Sequence, residues 1–264
     1  MRKQLFRIAV LWCVCAASAA VASAQEFQKS YRLGPDAGIQ IRNVSGAINI
    51  SGHDGDAVTV AAYKEGRDRE QVEVVDESTG NGINIGVEYP RNCNCDASVR
   101  FEVRVPRSVA YNFTKISTAS GDISFKSVRG RVRASTASGE VLLEDVAGEI
   151  NASTASGNVS VREAAGTVNA SSASGDVDVE IARLEGTGNM KFSTASGDVH
   201  VRMPSALDAE VYLSSVSGAV KTSFPLQVHE RQHGSGSYAE GRLGGGARSL
   251  RITSASGNVS LTQK

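Results

Sequence analysis

From Ser117 onward, apolar and polar residues alternate in short runs: Ile123/Phe125, Val132/Ala134, Val141/Leu143, Ile150/Ala152, Val159/Val161, Val168/Ala170 and Val177/Val179. A period of two marks strands with one buried face, and no 3.6-residue apolar stripe accompanies it. The runs sit inside a repeated motif. It reads STASGDI from Ser117, STASGEV from Ser135, STASGNV from Ser153, SSASGDV from Ser171, STASGDV from Ser193, SSVSGAV from Ser214 and TSASGNV from Thr253. Its glycines, Gly121, Gly139, Gly157, Gly175, Gly197, Gly218 and Gly257, start at intervals of 18 residues, and Gly130, Gly148 and Gly166 fall halfway between them. Glycine supplies positive φ or close approach, and neighbouring Ser, Asp or Asn can bond the local backbone, so both glycine positions predict turns. The final interval of 39 equals 18 plus 21, which reads as one repeat carrying a Gly-rich insertion loop at about 226–248.

The spacing predicts an all-β chain, a parallel β-solenoid (β-helix-like) with 18-residue coils of two strands each, of either hand. One such coil buries too few side chains to offset the entropy of ordering it, so the coils must stack as an array. Stacking sets Val141 over Ile123 and Ala152 over Ala134, which predicts a wide and a narrow side. It also aligns Thr118, Thr136, Thr154, Ser172 and Thr194, and Ser120, Ser138, Ser156, Ser174 and Ser196, as hydroxyl ladders expected to satisfy one another along the axis. Beside them run Asp122, Glu140, Asn158, Asp176 and Asp198, whose acids repel at strand spacing unless water, a cation or a neighbouring Lys or Arg intervenes. A solvated polar edge is the expectation there, with weak cation or glycan binding as the alternative.

Upstream, Val44-Ser45-Gly46-Ala47-Ile48-Asn49-Ile50 echoes Val216-Ser217-Gly218-Ala219-Val220, so the array begins near residue 44 in irregular form. Segments Val72 to Val75, Ile83 to Tyr89 and Val99 to Val105 also alternate, with Pro90 and Pro106 as breakers. Residues 25–112 are therefore expected to be an irregular β region capping the solenoid, and 113–264 the regular repeats. A cap is needed because an exposed terminal strand invites edge pairing.

Residues 1–24 read as a secretory signal: Arg2, Lys3 and Arg7, an apolar stretch from Ile8 to Cys15, and a small-residue cleavage site at Ala22-Ser23-Ala24. The expectation is an exported chain with no transmembrane segment after cleavage, destined for the periplasm, cell surface or extracellular space. Without the three leader cations, the 28 Lys+Arg fall to 25 against 28 Asp+Glu, both signs interspersed, so no basic footprint for nucleic acid is present. Outside the leader, Cys93 and Cys95 are the remaining cysteines. In an oxidising compartment this C-x-C pair can close a small local disulfide, bridge to another chain or hold a soft metal. No second Cys/His pair completes a zinc site, and no cofactor or metal is expected.

His229-Glu230-Arg231-Gln232-His233 spells H-E-x-x-H, which in a zinc peptidase needs both histidines one helical turn apart and a third ligand. Here Ala239 stands at the third-ligand position, Leu226 and Val228 alternate like a strand, and Gly234 follows at once, so a solvated loop is the better reading. A polysaccharide hydrolase or lyase could use Asp176, Asp178 and Asp198, given two carboxylates at working separation and one pKa raised by burial. Those acids sit at repeated, exposed positions with few aromatics for sugar stacking. His53 and His200 lack partners at ligand spacing, and Gly244-Gly245-Gly246 opens no helix.

A leader, an early V-S-G-A-I-N-I, V-R-V-P at Val103 to Pro106, serial S-A-S-G-D-V units, G-R-L-G-G-G at Gly241 to Gly246 and a final S-A-S-G-N-V together resemble the DUF4097 family of bacterial adhesin-like proteins, over roughly residues 38–263. The resemblance implies a β-helix-like fold at or outside the cell envelope, with no established catalytic residues. The sequence thus points to a non-catalytic adhesin-like or structural protein of the envelope. Its expected partner is a surface polysaccharide, an envelope protein or a second copy of itself.

Overall fold

The computed structural model describes residues 25–230 and 235–264, so residues 1–24, where a signal is expected, and residues 231–234 lie outside the described residues. The strands are β1 (Gln25–Tyr31), β2 (Gly38–Arg42), β3 (Ile48–His53), β4 (Val58–Glu65), β5 (Glu73–Asp76), β6 (Gly82–Glu88) and β7 (Ser98–Pro106). Then come β8 (Ala110–Ser120), β9 (Ile123–Ser138), β10 (Val141–Ser156), β11 (Val159–Ser174), β12 (Val177–Arg183), β13 (Met190–Ser196) and β14 (Val199–Met203). The chain finishes with β15 (Ala209–Ser215), β16 (Val220–Thr222), β17 (Val228–Glu230), β18 (Ser237–Leu243), β19 (Ser249–Ser256) and β20 (Val259–Gln263). The only helical element among the described residues is a 3-10 turn at Arg69–Gln71. The fold is all-β.

The pairings arrange these strands in two walls. In the first, hydrogen bonding runs β1, β4, β7, β3, then the leading halves of β9, β10 and β11, then β12, β14, β20 and β16. In the second it runs β5, β6, β2, β8, the trailing halves of β9, β10 and β11, then β13, β19, β15, β18 and β17. The central pairings are parallel: Val141 lies between Ile123 and Val159, and Ala152 between Ala134 and Ala170. Only the outermost strands are antiparallel, at β1, β4 and β5 on one end and β17 and β18 on the other. At the first end both walls therefore finish on antiparallel strands, while at the other end the second wall does so and the first finishes on the short parallel strand β16.

Between the walls lies one continuous core. Ile123, Phe125, Val141, Leu143, Val159 and Val161 of the first wall join Val132, Ala134, Ile150, Ala152, Val168 and Ala170 of the second, all nearly inaccessible to solvent. The expected pairing of large residues on one side with alanines on the other therefore holds. Where the alanine column ends, Phe192 continues it in the next layer and is itself buried.

Two features differ from the sequence expectation. The halfway glycines do not separate two strands. The backbone ladder runs through them, and each repeat bends at a corner where Ser127, Asp145 and Glu163 take φ of 53°, 53° and 52°. The residue after each, Val128, Val146 or Ala164, points inward and fills the corner. The second difference is layer order. The layer β19–β20 does not lie beyond β15–β16 as a linear array would have it; it lies between β13–β14 and β15–β16. Similarly, β2–β3 lies between β6–β7 and β8–β9. The segment expected as an insertion loop carries β17 and β18, and β18 closes over the edge of β15.

Candidate functional site

The repeated motif is spent on a corner of the stack. Gly139 adopts φ of +146°, and a Cβ placed on it would come within 2.1 Å of the Gly121 carbonyl oxygen, so only glycine lets consecutive layers close to this distance. That carbonyl takes no backbone partner in the ladder. The Thr136 hydroxyl donates to it at 3.0 Å, and the same bond recurs from Thr154 to Gly139 at 3.0 Å, from Ser172 to Gly157 at 2.9 Å and from Thr194 to Gly175 at 2.8 Å. These hydroxyls are buried. They satisfy glycine carbonyls and not one another, because the motif threonine faces inward at a corner where the positive-φ glycine turns its oxygen out of the ladder.

The acid position completes the corner. Asp122 Oδ1 accepts the Glu140 N–H at 2.9 Å, Asn158 Oδ1 that of Asp176 at 2.9 Å, Asp176 Oδ1 that of Asp198 at 2.8 Å and Asp198 Oδ1 that of Asn258 at 2.6 Å. A backbone donor thus sits between successive acids and relieves the repulsion expected of the column. The Asn258 N–H holds the Asp198 carboxyl below its ordinary range, against a desolvation acting the other way. A glycosidase acid requires the opposite shift, and Asp178 lies on the first wall's outer face opposite His200, away from the corner column.

His229 and Glu230 lie on β17, extended and paired with β18, so the start of H-E-x-x-H is strand and not helix; His233 is outside the described residues. Among the described residues no three His, Cys, Asp or Glu side chains gather to hold a metal. The Cys93 and Cys95 sulfurs meet within their own loop, with Cα atoms 5.1 Å apart, and both lie near Gln71. His53 ends β3 and braces the turn after it: its ring nitrogens meet the Ala57 carbonyl at 2.9 Å and the Gly55 N–H at 3.0 Å. Gly244-Gly245-Gly246 folds around Asp208, whose Oδ1 accepts N–H bonds from Gly246 at 2.6 Å and Ala247 at 3.1 Å. The Ala247 N–H, with those of Gly246 and Gly245, holds this carboxyl low despite its desolvation.

His200 has partners that sequence distance hides. Its Nδ1 is 2.7 Å from Ser260 Oγ, sixty residues away, and its Nε2 is 3.9 Å from Asp198 Oδ2. The grouping is that of a nucleophile, base and orienting acid, but it stands on an open sheet face and its carboxylate already accepts from Asn258.

The two outer faces differ in charge. On the first wall, Lys126, Glu144 and Arg162 stack on adjacent strands, as do Glu180 and Arg202, and opposite signs meet at 3.4 Å and 3.5 Å. On the second wall one column runs Lys115, Arg133, Asn151, Asn169, Lys191 and Arg251. Among the described residues none of its four cations makes an ion pair. The amides hold one another, Asn169 Nδ2 donating to Asn151 Oδ1 at 3.4 Å while Asn169 Oδ1 accepts the Lys191 N–H at 2.9 Å. Beside them Ser153, Ser171 and Ser193 complete a shallow open trough of about 360 Å³. Sequence reading missed this column, although Arg133, Asn151 and Asn169 share one phase of the 18-residue repeat and that phase was the available signal.

No curated protein matches the chain. Two solved structures are similar over most of it. One is a "putative cell adhesion protein" from Clostridium sporogenes, with 12% identity, TM-score 0.43, and 90% of this chain and 99% of the other covered. The other is a "putative adhesin" from Bacteroides fragilis, with 12% identity, TM-score 0.37, and 90% and 96% covered. The family described as Toastrack DUF4097 matches residues 37–262, which span the glycine corner, the flap of β17 and β18 and the reordered layers. The chain belongs to the DUF4097 Toastrack family.

Proposed function

We propose that the chain is a non-catalytic, adhesin-like binding or structural protein of the bacterial cell envelope, exported by cleavage after Ala24 to the periplasm, cell surface or beyond. Its repeats are read as a parallel β-solenoid of 18-residue coils. Residues 25–112 contribute an irregular capping region, 113–264 the repeats, and Cys93 and Cys95 pair with each other as a loop staple. One observation carries the reading: the hydroxyls and acids that could have meant chemistry are engaged in holding layer to layer, as in the Thr136 bond to Gly121 and the Asp198 bond to Asn258. What is left for a partner is two long polar faces.

The test is a glycan and cell-wall binding screen on purified residues 25–264, run beside metal analysis. Saturable binding to a surface polysaccharide or envelope fraction is expected. The competing reading is a hydrolase built on Ser260, His200 and Asp198. Turnover of ester or glycan substrates that disappears in Ser260→Ala would replace the binding reading with that one.

A further inference from the structure

We propose that the outer face of the second wall binds a linear acidic polysaccharide bearing ring carboxylates, laid along the stacking axis; this rests on the reading of the chain as a non-catalytic envelope binding protein. At about 4.8 Å per strand, the column from Lys115 to Arg251 spans about 24 Å. It places two cations at each end, Lys115 and Arg133 on neighbouring strands across the irregularity between Phe113 and Ile116, and Lys191 in register with Arg251, with the two amides between them. A lone column of unpaired like charges on a chain whose Lys+Arg and Asp+Glu are equal in number is not explained by stability, because neighbours at strand spacing repel. The first wall shows the alternative, signs alternating so that the face neutralises itself.

The groups beside the cations suit sugar. Each Asn Nδ2 carries two hydrogens and spends one, Asn151 on Glu149 Oε1 two residues along its own strand and Asn169 on Asn151 within the column. The other hydrogen and the hydroxyls of Ser153, Ser171 and Ser193 are left along the trough to meet ring hydroxyls. Carboxylates of the polymer would take the cation pairs at the two ends as charge-assisted hydrogen bonds.

Nucleic acid fits less well. Four cations over about 24 Å are sparse against a duplex carrying one charge per about 1.7 Å of axis. A stacking ring for bases is also wanting, since Tyr212, beside the column, has the Arg251 guanidinium over its ring at 4.4 Å. A protein partner would call for a buried aromatic anchor, and the column supplies none.

The test is calorimetric titration of purified residues 25–264 with polygalacturonate, uncharged dextran and single-stranded DNA at low and high salt. Binding to polygalacturonate that weakens with salt, with none to dextran, is expected. Arg133→Ser with Lys191→Ser should lower that affinity at least tenfold. Arg104→Ser with Arg162→Ser, the same charge loss on the first wall, should change it less than twofold, with melting curves showing all variants folded. Equal loss in both double variants, or tighter binding to DNA than to polygalacturonate, overturns the proposal. Binding only to neutral wall glycans, unaffected by Arg133→Ser and Lys191→Ser, overturns it while sparing the broader reading. Absence of binding to every glycan and wall fraction sinks both.

Discussion

At the scale of single residues, the motif S-T-A-S-G-D reads as a division of labour around one corner. Threonine turns in to cap a carbonyl, alanine and serine turn out, glycine allows contact, and the acid collects the next layer's N–H. Adjacent positions should therefore respond very differently to substitution. In Gly157→Ala, a Cβ at φ of +137° would meet the Gly139 carbonyl oxygen at 2.1 Å, and we expect a loss of about 2–4 kcal/mol in denaturant melts. The neighbouring exposed Ser156→Ala should stay within about 0.5 kcal/mol. Comparable losses for the two would mean the corner is not where these layers are tied. The glycine was legible in sequence because its periodicity is blunt. The threonine's true partner was not, since a hydroxyl ladder and a hydroxyl-to-carbonyl ladder leave the same spacing in the chain.

At the scale of elements, strand existence was written in the alternation, and the inward register of the alanine column followed from it. Ala152 is buried between Ala134 and Ala170, in a core shared with Leu143 and Val161. Ala152→Phe should force the walls apart and cost about 1–3 kcal/mol, felt by both neighbouring layers. An unchanged melting temperature would place this column outside. The clamp at the first flap is a second element-level feature, and no sequence pattern announced it. Asp76 on β5 of the second wall accepts from Lys29 Nζ at 2.6 Å and from the Tyr31 hydroxyl at 3.0 Å, both on β1 of the first wall, and so ties the walls together. Desolvation alone would raise this carboxyl, but the bonds from Lys29, Ser78 and Tyr31 outweigh it and hold the pKa at about 2. A depressed folded-state value means the clamp stabilises fully above the unfolded value of about 4 and loses its contribution as pH falls toward about 2. Melting temperatures of wild type and Asp76→Asn should differ at neutral pH and converge near the bottom of that window. A constant gap across it would assign the clamp no electrostatic role.

At the scale of the whole molecule, the order of layers departs from the order of the chain, and periodicity cannot report this. The repeats are alike, so any of them can seat on any other, and what decides is which edge stays open and which is covered by the flaps of β4 and β18. Because β19–β20 is an interior layer, removing residues 249–264 should take a slab from the middle of the stack. We expect amide exchange to rise across 190–222 and 237–243 while 123–170 stays protected; protection persisting in 209–222 would show that the outer layer docks without it. The interior seat also shapes how the fold is reached. While residues 205–248 are being made, the edge of β13–β14 stands unpaired, a slot shaped for a parallel strand pair that has yet to emerge. Every copy in that state offers the same slot and will later carry the same insert, so crowded, half-finished molecules can trade their 249–263 segments and mature as exchanged dimers.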